Sequence, residues 1–308
     1  MPLIQRSING PIDLLRLQRH DPSRYPMLLQ SVADGNAMSR WDILFCGNGE
    51  GLQLRDGQMR DLAWQPINAS FFDALDRAWR ASQSEQQHAL PFSGGWAIYL
   101  GYELAGQIEP SLRLPNFTGA LPDALALRCP AALLHDKHLD RYIAIAESGH
   151  EKLLEQLADD MAQLDPNSDF PAWPIDVQIQ EEEPAIFKKS VLSILEYLKA
   201  GDVFKVNLSR AWHGKATGAD AHTLYQRLCE QNPAPFAGLL QHAQWSLISS
   251  SPERLVSVAN GLVQTRPIAG TRPRLVEDNE LDKIKELIGH PKERAEHVML
   301  IDLERNDL

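Results

Sequence analysis

Residues 254–266 read Arg254-Leu-Val-Ser-Val-Ala-Asn-Gly-Leu-Val-Gln-Thr-Arg266, the clearest local signal in the sequence. Asn260-Gly261 stands between two runs rich in valine and leucine. Both residues tolerate positive φ, which a two-residue hairpin turn requires. The stretch therefore predicts a β-hairpin, with antiparallel pairing in the second half of the chain.

Helical and strand patterns alternate through the rest of the chain. Apolar side chains at helical spacing predict helices over Phe71–Trp79, Glu151–Leu164 and Phe187–Leu198, the last ending at Gly201. Strands are predicted at residues 96–101, 142–146, 203–208 and 245–249. The mixture predicts an α+β fold.

Composition limits the classes of partner. The chain has 308 residues, with 30 Lys and Arg against 41 Asp and Glu, for a net charge of −11. This charge argues against a nucleic acid as the main partner. No apolar run approaches the ~20 residues of a membrane helix, and no signal-peptide core is present. Three widely spaced cysteines indicate neither a disulfide framework nor a zinc site. We therefore expect a cytoplasmic protein without membrane contact.

Three short segments carry residues suited to chemistry. In the first, Glu253 follows Pro252, whose restricted backbone holds it in a fixed direction. In the second, Gly270 and Thr271 lie in an arginine-rich loop that suits an anionic ligand. The alternatives are a solvated strand end and a rigid loop with exposed arginines, and the residues alone leave both open.

The third segment is a helix that begins at His290-Pro291. Glu293 and Glu296 share a face at i, i+3 spacing, and the apolar run 298–301 predicts burial beyond the first turn. Mg²⁺ would satisfy such a carboxylate pair. The alternative is a solvated helix start that is favoured by the helix dipole.

Taken in order, these segments and several others make the sequence resemble the chorismate-utilising enzymes. It is most similar to aminodeoxychorismate synthase component I, with anthranilate synthase component I as a near relative, over essentially the whole chain. The motifs are Met27-Leu-Leu-Gln-Ser31, Ser39-Arg-Trp-Asp-Ile43, Leu90-Pro-Phe-Ser-Gly-Gly95, Leu100-Gly-Tyr-Glu-Leu104, Gly201-Asp-Val-Phe-Lys-Val-Asn-Leu-Ser209, Asn232-Pro-Ala-Pro-Phe236, Ser251-Pro-Glu-Arg254, Pro267-Ile-Ala-Gly-Thr271 and Ala295-Glu-His-Val-Met-Leu-Ile-Asp302.

The resemblance implies a fold and site roles. The fold would be the anthranilate synthase component I-like sandwich of two β-sheets with outer helices, incomplete at the C-terminus. Glu253 would be the catalytic acid/base. Gly270 and Thr271 would contact chorismate, and Glu293 and Glu296 would hold Mg²⁺. A glutamine amidotransferase partner would supply ammonia.

The resemblance also implies a tryptophan pocket between the N-terminal segment and the Pro-Phe loop. The matching positions are Ser31, Met38, Ser39, Arg40, Trp41, Pro235, Phe236 and Ala237. Residues 1–308 would form a single domain, with this pocket in the subregion 1–165 and the start of the catalytic region at 180–308. The alternative is that the pocket positions only pack one sheet on another.

The activity expected from the resemblance is aminodeoxychorismate synthesis, for folate and para-aminobenzoate. One position departs from that branch, because Ala269 stands where it often carries a nucleophilic lysine. Alanine is the choice of the anthranilate branch, so anthranilate synthase component I is the alternative. A third possibility is an inactive binding module, since the resemblance implies a chain that stops at Leu308 before the family's C-terminal part and does not turn over alone.

Overall fold

The structure, a computed structural model, describes residues 3–33, 39–83, 89–114, 119–165, 170–173, 176–273, 275, 277 and 279–308. Two compact units can be separated. The first contains Met1–Pro166 and Arg227–Leu308, and the second contains Asn167–Gln226. Within the described residues, no helix is long and apolar enough to cross a membrane.

The described residues form strands and helices along the whole chain. The strands are β1 (Leu3–Ile8), β2 (Met27–Gln30), β3 (Trp41–Cys46), β4 (Gly51–Arg55), β5 (Gln58–Asp61), β6 (Gly95–Leu100), β7 (Ala124–Cys129), β8 (Ala131–Asp136), β9 (Arg141–Glu147), β10 (Val177–Glu181), β11 (Trp212–Ala216), β12 (Phe236–His242), β13 (Trp245–Ser251), β14 (Ser257–Ala259) and β15 (Leu262–Gln264). The helices are α1 (Leu14–His20), α2 (Phe71–Ser82), α3 (Ala105–Ile108), α4 (Glu151–Gln163), α5 (Pro184–Ala200), α6 (Ala221–Gln231), α7 (Glu280–Gly289) and α8 (Pro291–Asp307).

Two antiparallel sheets form the frame of the first unit. The larger has seven strands in the order β1-β9-β8-β3-β2-β12-β13, and the smaller has four in the order β5-β4-β7-β6. Neither sheet closes into a barrel. Between them lies an apolar layer that includes Phe45 and Leu240 from the larger sheet and Leu125 and Leu127 from the smaller. Each fully buried side chain of this kind contributes roughly 1.5–3 kcal/mol to folding.

Helices cover the outer faces of both sheets. Helix α2 places Phe71 and Ala74 against Leu54 and Ala126 of the smaller sheet. On the larger sheet, α4 contacts β9 and α1 contacts β2. The two-sheet sandwich with outer helices that the sequence predicts is confirmed.

Helix α4 is tied to the larger sheet through one buried carboxylate. Asp160 accepts a hydrogen bond of 2.6 Å from the Tyr25 hydroxyl and pairs with Arg24, both next to the start of β2. The phenol is fully buried, and this burial raises the pKa of Tyr25. The contact fixes the start of β2, where the motif Met27–Ser31 begins.

A buried ion pair joins the two sheets. Arg128 of β7 donates from Nη1 to Glu147 Oε1 of β9 at 2.9 Å, and its Nη2 pairs with the other carboxylate oxygen. The same Nη1 donates to the Gly95 carbonyl of β6 at 2.9 Å. Both side chains are nearly inaccessible, at 7% and 9% exposure, so neither charge can be left alone without a large desolvation penalty.

The second unit is organised around Arg210. Strands β10 and β11 pair as an antiparallel two-stranded sheet. The Arg210 guanidinium pairs with Glu181 and lies 4.3 Å from the ring centre of Trp212 and 5.8 Å from that of Phe187. These cation–π contacts connect β11 to α5.

Most local predictions are confirmed, with two corrections. The hairpin forms as β14 and β15, with Asn260 at φ 52° and Gly261 at φ 75°, and Gly201 ends α5 at φ 79°. The strand predicted at residues 203–208 is wrong, because no strand of the described residues pairs with it. The burial predicted for α8 is also wrong in the main. Leu300 is buried, but the helix packs chiefly on α7, and Val298 and Ile301 are exposed.

We predict that Gly94→Ala breaks the ion pair between the sheets. Gly94 has φ 103°, and a Cβ atom there would overlap the Glu147 carboxylate. Urea unfolding should show a loss of about 3–5 kcal/mol, the cost of disrupting a buried pair. The matched control is Gly149→Ala, at φ 93° with open space around it, which should lose only about 1–2 kcal/mol. Equal losses in the two variants would contradict the role of the pair.

Candidate functional site

Glu253 lies just beyond the edge strand of the larger sheet. Strand β13 ends at Ser251, whose hydroxyl donates to the Glu253 carbonyl at 3.0 Å and accepts from the Glu253 N–H at 3.4 Å. This small turn fixes the backbone of Glu253, while the residue itself is exposed. The carboxylate is thus presented to solvent at the end of a strand.

The second and third segments meet each other. A Cβ atom at Gly270 would overlap the carboxylate of Glu293, so the loop backbone lies directly against the start of α8. Arg272 donates to Glu293 Oε1 and to Glu286 Oε1 of α7, each at 3.1 Å. The hydrogen bond to Glu293 raises the pKa of Arg272. Glycine at position 270 permits this approach because any side chain would collide.

The acidic pair supplies donors suited to a hard cation. Glu293 is half-buried and held by Arg272, and Glu296 lies one turn further along α8. Carboxylate oxygens are the ligands that Mg²⁺ prefers, with water and substrate completing the shell. The described residues contain no group of three or more metal-binding side chains. That Glu293 and Glu296 hold Mg²⁺ stays a prediction.

The structure brings two of the three segments together. Within the described residues, no hydrogen bond or ion pair connects the Glu253 carboxylate with Gly270, Thr271, Glu293 or Glu296. The loop with Gly270 and the start of α8 are in contact. The exposed Glu253 takes no part in the hydrogen bonds described for these two segments. A common cavity for all three segments stays a prediction.

The two segments predicted to enclose tryptophan are neighbours in the larger sheet. Strands β2 and β12 pair with Gln30 opposite Ala237. Just beyond, the N–H groups of Val32 and Ala33 both donate to the Ala234 carbonyl, at 2.9 and 3.2 Å. Ser31 is therefore held beside Pro235 and the first residue of β12, Phe236.

Asp42 and Lys137 form hydrogen bonds with the two backbone polar groups of Ser31, its N–H and its carbonyl. The Ser31 N–H donates to Asp42 Oδ1 at 2.9 Å, and the Ser31 carbonyl accepts from Lys137 Nζ at 2.5 Å. Burial raises the pKa of Asp42, and the hydrogen bond from Ser31 opposes that rise. The local sequence gives no signal for these two residues, because they come from β3 and from the turn after β8.

Arg40 and Trp41 lie at the same end of the sheet. Arg40 makes a two-bond ion pair with Asp136, at 3.0 and 2.8 Å, and its guanidinium lies 4.8 Å from the Trp41 ring centre. The hydrogen bond from Arg40 lowers the pKa of Asp136. The buried Ser39 hydroxyl has no hydrogen-bond partner among the described residues. Met38 lies outside them.

Comparison with known proteins identifies the family. A sequence model of the chorismate binding enzymes matches residues 31–308. An anthranilate synthase component I-like protein of Synechocystis sp. is 36% identical in an alignment 228 positions long that covers 71% of this chain and 45% of the relative. Anthranilate synthase component 1 of Acetivibrio thermocellus is 29% identical in an alignment 340 positions long, gaps included, that covers 99% of this chain and 66% of the relative.

A solved structure agrees with the sequence relatives. Anthranilate synthase component I from Streptococcus pneumoniae superimposes with a TM-score of 0.75 at 26% identity, covering 89% of this chain and 62% of that one. The chain thus spans about half to two thirds of the length of the relatives it matches. The match over residues 31–308, on a two-sheet frame of the same kind, shows that this chain belongs to the chorismate binding enzyme family.

Proposed function

We propose that the protein acts as component I of an anthranilate synthase, converting chorismate and ammonia to anthranilate with release of pyruvate and water. The observation that carries the proposal is the shared name of its relatives, since the proteins from Synechocystis, Acetivibrio thermocellus and Streptococcus pneumoniae are all described as anthranilate synthase component I or similar to it. Ala269 agrees with this branch, because alanine offers no nucleophile and the amine must then come from ammonia itself.

Aminodeoxychorismate synthase is the second candidate. It is favoured by the motifs at Met27–Ser31 and Ser39–Ile43, which resemble that branch. The names of the compared relatives do not support it, nor do they support a role in folate or para-aminobenzoate synthesis. The two candidates differ in their product and share the substrate.

In this proposal each site segment has one task. Glu253 moves protons at the ring carbons where nitrogen replaces oxygen, and its exposed position leaves room for a substrate. Gly270 and Thr271 would border the substrate, in the loop that packs against Glu293 at the start of α8. Glu293 and Glu296 would hold Mg²⁺, which supplies positive charge to the ring carboxylate when bound. A glutamine amidotransferase partner would deliver ammonia.

A tryptophan site is the regulatory part of the proposal. Ser31, Ser39 and Trp41 would face the ligand from the N-terminal segment, and Pro235 with the start of β12 at Phe236 and Ala237 would cover it. The buried Ser39 hydroxyl, which lacks a partner among the described residues, suits a polar group of the amino acid. Asp42 and Lys137 would act as positioning residues through Ser31.

Product analysis tests the reaction. The protein, incubated with chorismate, Mg²⁺ and ammonium, should form fluorescent anthranilate without any added lyase. An amine product that becomes aromatic only when a lyase is added would overturn the anthranilate proposal in favour of the second candidate.

We predict that Glu253→Gln lowers kcat by about 10²- to 10⁴-fold, the usual contribution of a general acid/base, with little change in KM. The matched control is Glu155→Gln, on the exposed face of α4, which should retain full activity. Unchanged turnover in the Glu253 variant would contradict its catalytic role.

Calorimetry tests the tryptophan site. The chain should bind L-tryptophan, and Asp42→Ala should weaken binding about tenfold, because the Ser31 N–H then loses its acceptor. Asp159→Ala, at an exposed position of α4, is the control that should not change the affinity. Absence of binding to the original chain would overturn the site, whereas equal affinities in both variants would overturn only the role of Asp42.

A further inference from the structure

Arg272 already bonds the carboxylate to which the proposed function assigns a metal ion. Its Nη1 atom donates to Glu293 Oε1 of α8 at 3.1 Å, and its Nε atom donates to Glu286 Oε1 of α7, also at 3.1 Å. The same Nη1 atom donates to the Thr271 carbonyl at 2.9 Å. A single guanidinium group thus connects the loop that contains Gly270 with α7 and α8.

Both carboxylate oxygens of Glu293 have close neighbours. Oε1 accepts the hydrogen bond from Arg272, and Oε2 lies against Gly270, where a Cβ atom would overlap it. The neighbour at Gly270 is backbone, whereas the guanidinium stands at the end of a flexible side chain. A guanidinium and a divalent cation at one carboxylate repel each other, so Arg272 is the group that has to move when a cation binds there.

The pair of Arg272 and Glu293 is held less firmly than the buried pair between the sheets. Arg128 bonds both oxygens of Glu147, and its side chain is only 7% exposed. Arg272 gives Glu293 one hydrogen bond, divides its donors between two carboxylates and is 22% exposed. Breaking an ion pair that water reaches costs much less than breaking a buried one. The guanidinium can therefore leave Glu293 at small cost.

The residues around Arg272 fit a hard cation by their charge and donor chemistry. Glu293 and Glu296 share a face of α8, and within the part of the chain that the structure describes Arg272 is the cation paired with Glu293. Glu286 has a second cation, because Lys283 Nζ lies 3.7 Å from its Oε2 atom. Glu293 is only 14% exposed, and a carboxylate buried to this extent is unfavourable without a partner. Arg272 satisfies it, while the two carboxylates of α8 leave negative charge for a cation.

We propose that Arg272 is an exchangeable counter-charge at the metal site. In the metal-free protein its guanidinium pairs with Glu293, and when a divalent cation binds there the guanidinium keeps only its bond to Glu286. The proposal rests on the proposed function, because it takes Glu293 as a metal ligand, and it adds a means of regulation to that site. Arg272 lowers the affinity of the site for the cation and keeps Glu293 paired when the cation is scarce.

Binding of Mn²⁺ tests the proposal without a measurement of activity. Mn²⁺ prefers the same oxygen ligands as Mg²⁺, and the EPR signal of the free ion reports how much is bound. Arg272→Met should tighten Mn²⁺ binding about tenfold, which corresponds to the loss of one competing hydrogen bond to a charged group. Arg272→Lys keeps a competing charge and should stay within about threefold of the original affinity.

The matched control is Arg294→Met. It removes the same charge from an exposed position of α8, directly after Glu293 in the chain. Its effect on Mn²⁺ affinity should be less than about threefold, because an exposed charge interacts weakly. Thermal unfolding of each variant shows whether the fold is retained.

A second measurement uses the unaltered chain and so does not depend on the folding of a variant. Phenylglyoxal reacts with guanidinium groups that lose a proton. The hydrogen bond to Glu293 raises the pKa of Arg272 and so protects it from this reaction. Addition of Mg²⁺ should therefore speed the modification of Arg272, followed by peptide mass spectrometry, and leave the rate at Arg294 unchanged.

Two results would overturn the exchange while leaving the metal site in place. One is equal Mn²⁺ affinity of Arg272→Met and Arg294→Met, and the other is a rate of Arg272 modification that does not respond to Mg²⁺. Glu293→Gln examines the metal site itself, since it should abolish saturable Mn²⁺ binding. Binding that survives this substitution, or no binding to any form up to about 10 mM, beyond the range of weak cation sites, would contradict the metal site of the proposed function and the exchange with it.

Discussion

The buried pair of Arg128 and Glu147 is the constraint on which the rest of the first unit depends. It connects β7 of the smaller sheet with β9 of the larger one and includes the Gly95 carbonyl of β6. Apolar side chains between the sheets supply most of the driving force, but they are not directional. The ion pair adds direction, because a guanidinium bonded to a carboxylate and a carbonyl permits one relative placement of the three strands.

That placement brings together polar residues from the ends of neighbouring strands. Because β2 lies between β3 and β12, Ser31 lies between Asp42 and the start of β12. The other ends of the same strands, together with the β4–β5 hairpin, line a concave surface of about 1010 Å³. One frame thus supports two separate polar regions, and each rests on residues from several strands. The acidic start of α8 is built differently, through contacts with Gly270 and Arg272.

The sequence predicted features whose cause is local. The Asn260-Gly261 turn, the ending of α5 at Gly201 and the amphipathic α2 all follow from neighbouring residues, and all are present. The motifs, read together, also predicted the family and the sandwich. Features that depend on a distant partner were missed or wrong. Residues 203–208 have strand-like composition but no described strand to pair with, and Asp42 meets Ser31 only because β2 and β3 are adjacent.

A double-mutant cycle on the ion pair tests this account most directly. Arg128→Met and Glu147→Met should each lower the free energy of unfolding by about 3–5 kcal/mol, because each leaves one charge buried without its partner. The double variant should recover most of that loss, since two apolar side chains leave no unpaired charge between the sheets. Losses that simply add in the double variant would show that Arg128 and Glu147 do not act as a pair, and would contradict the account.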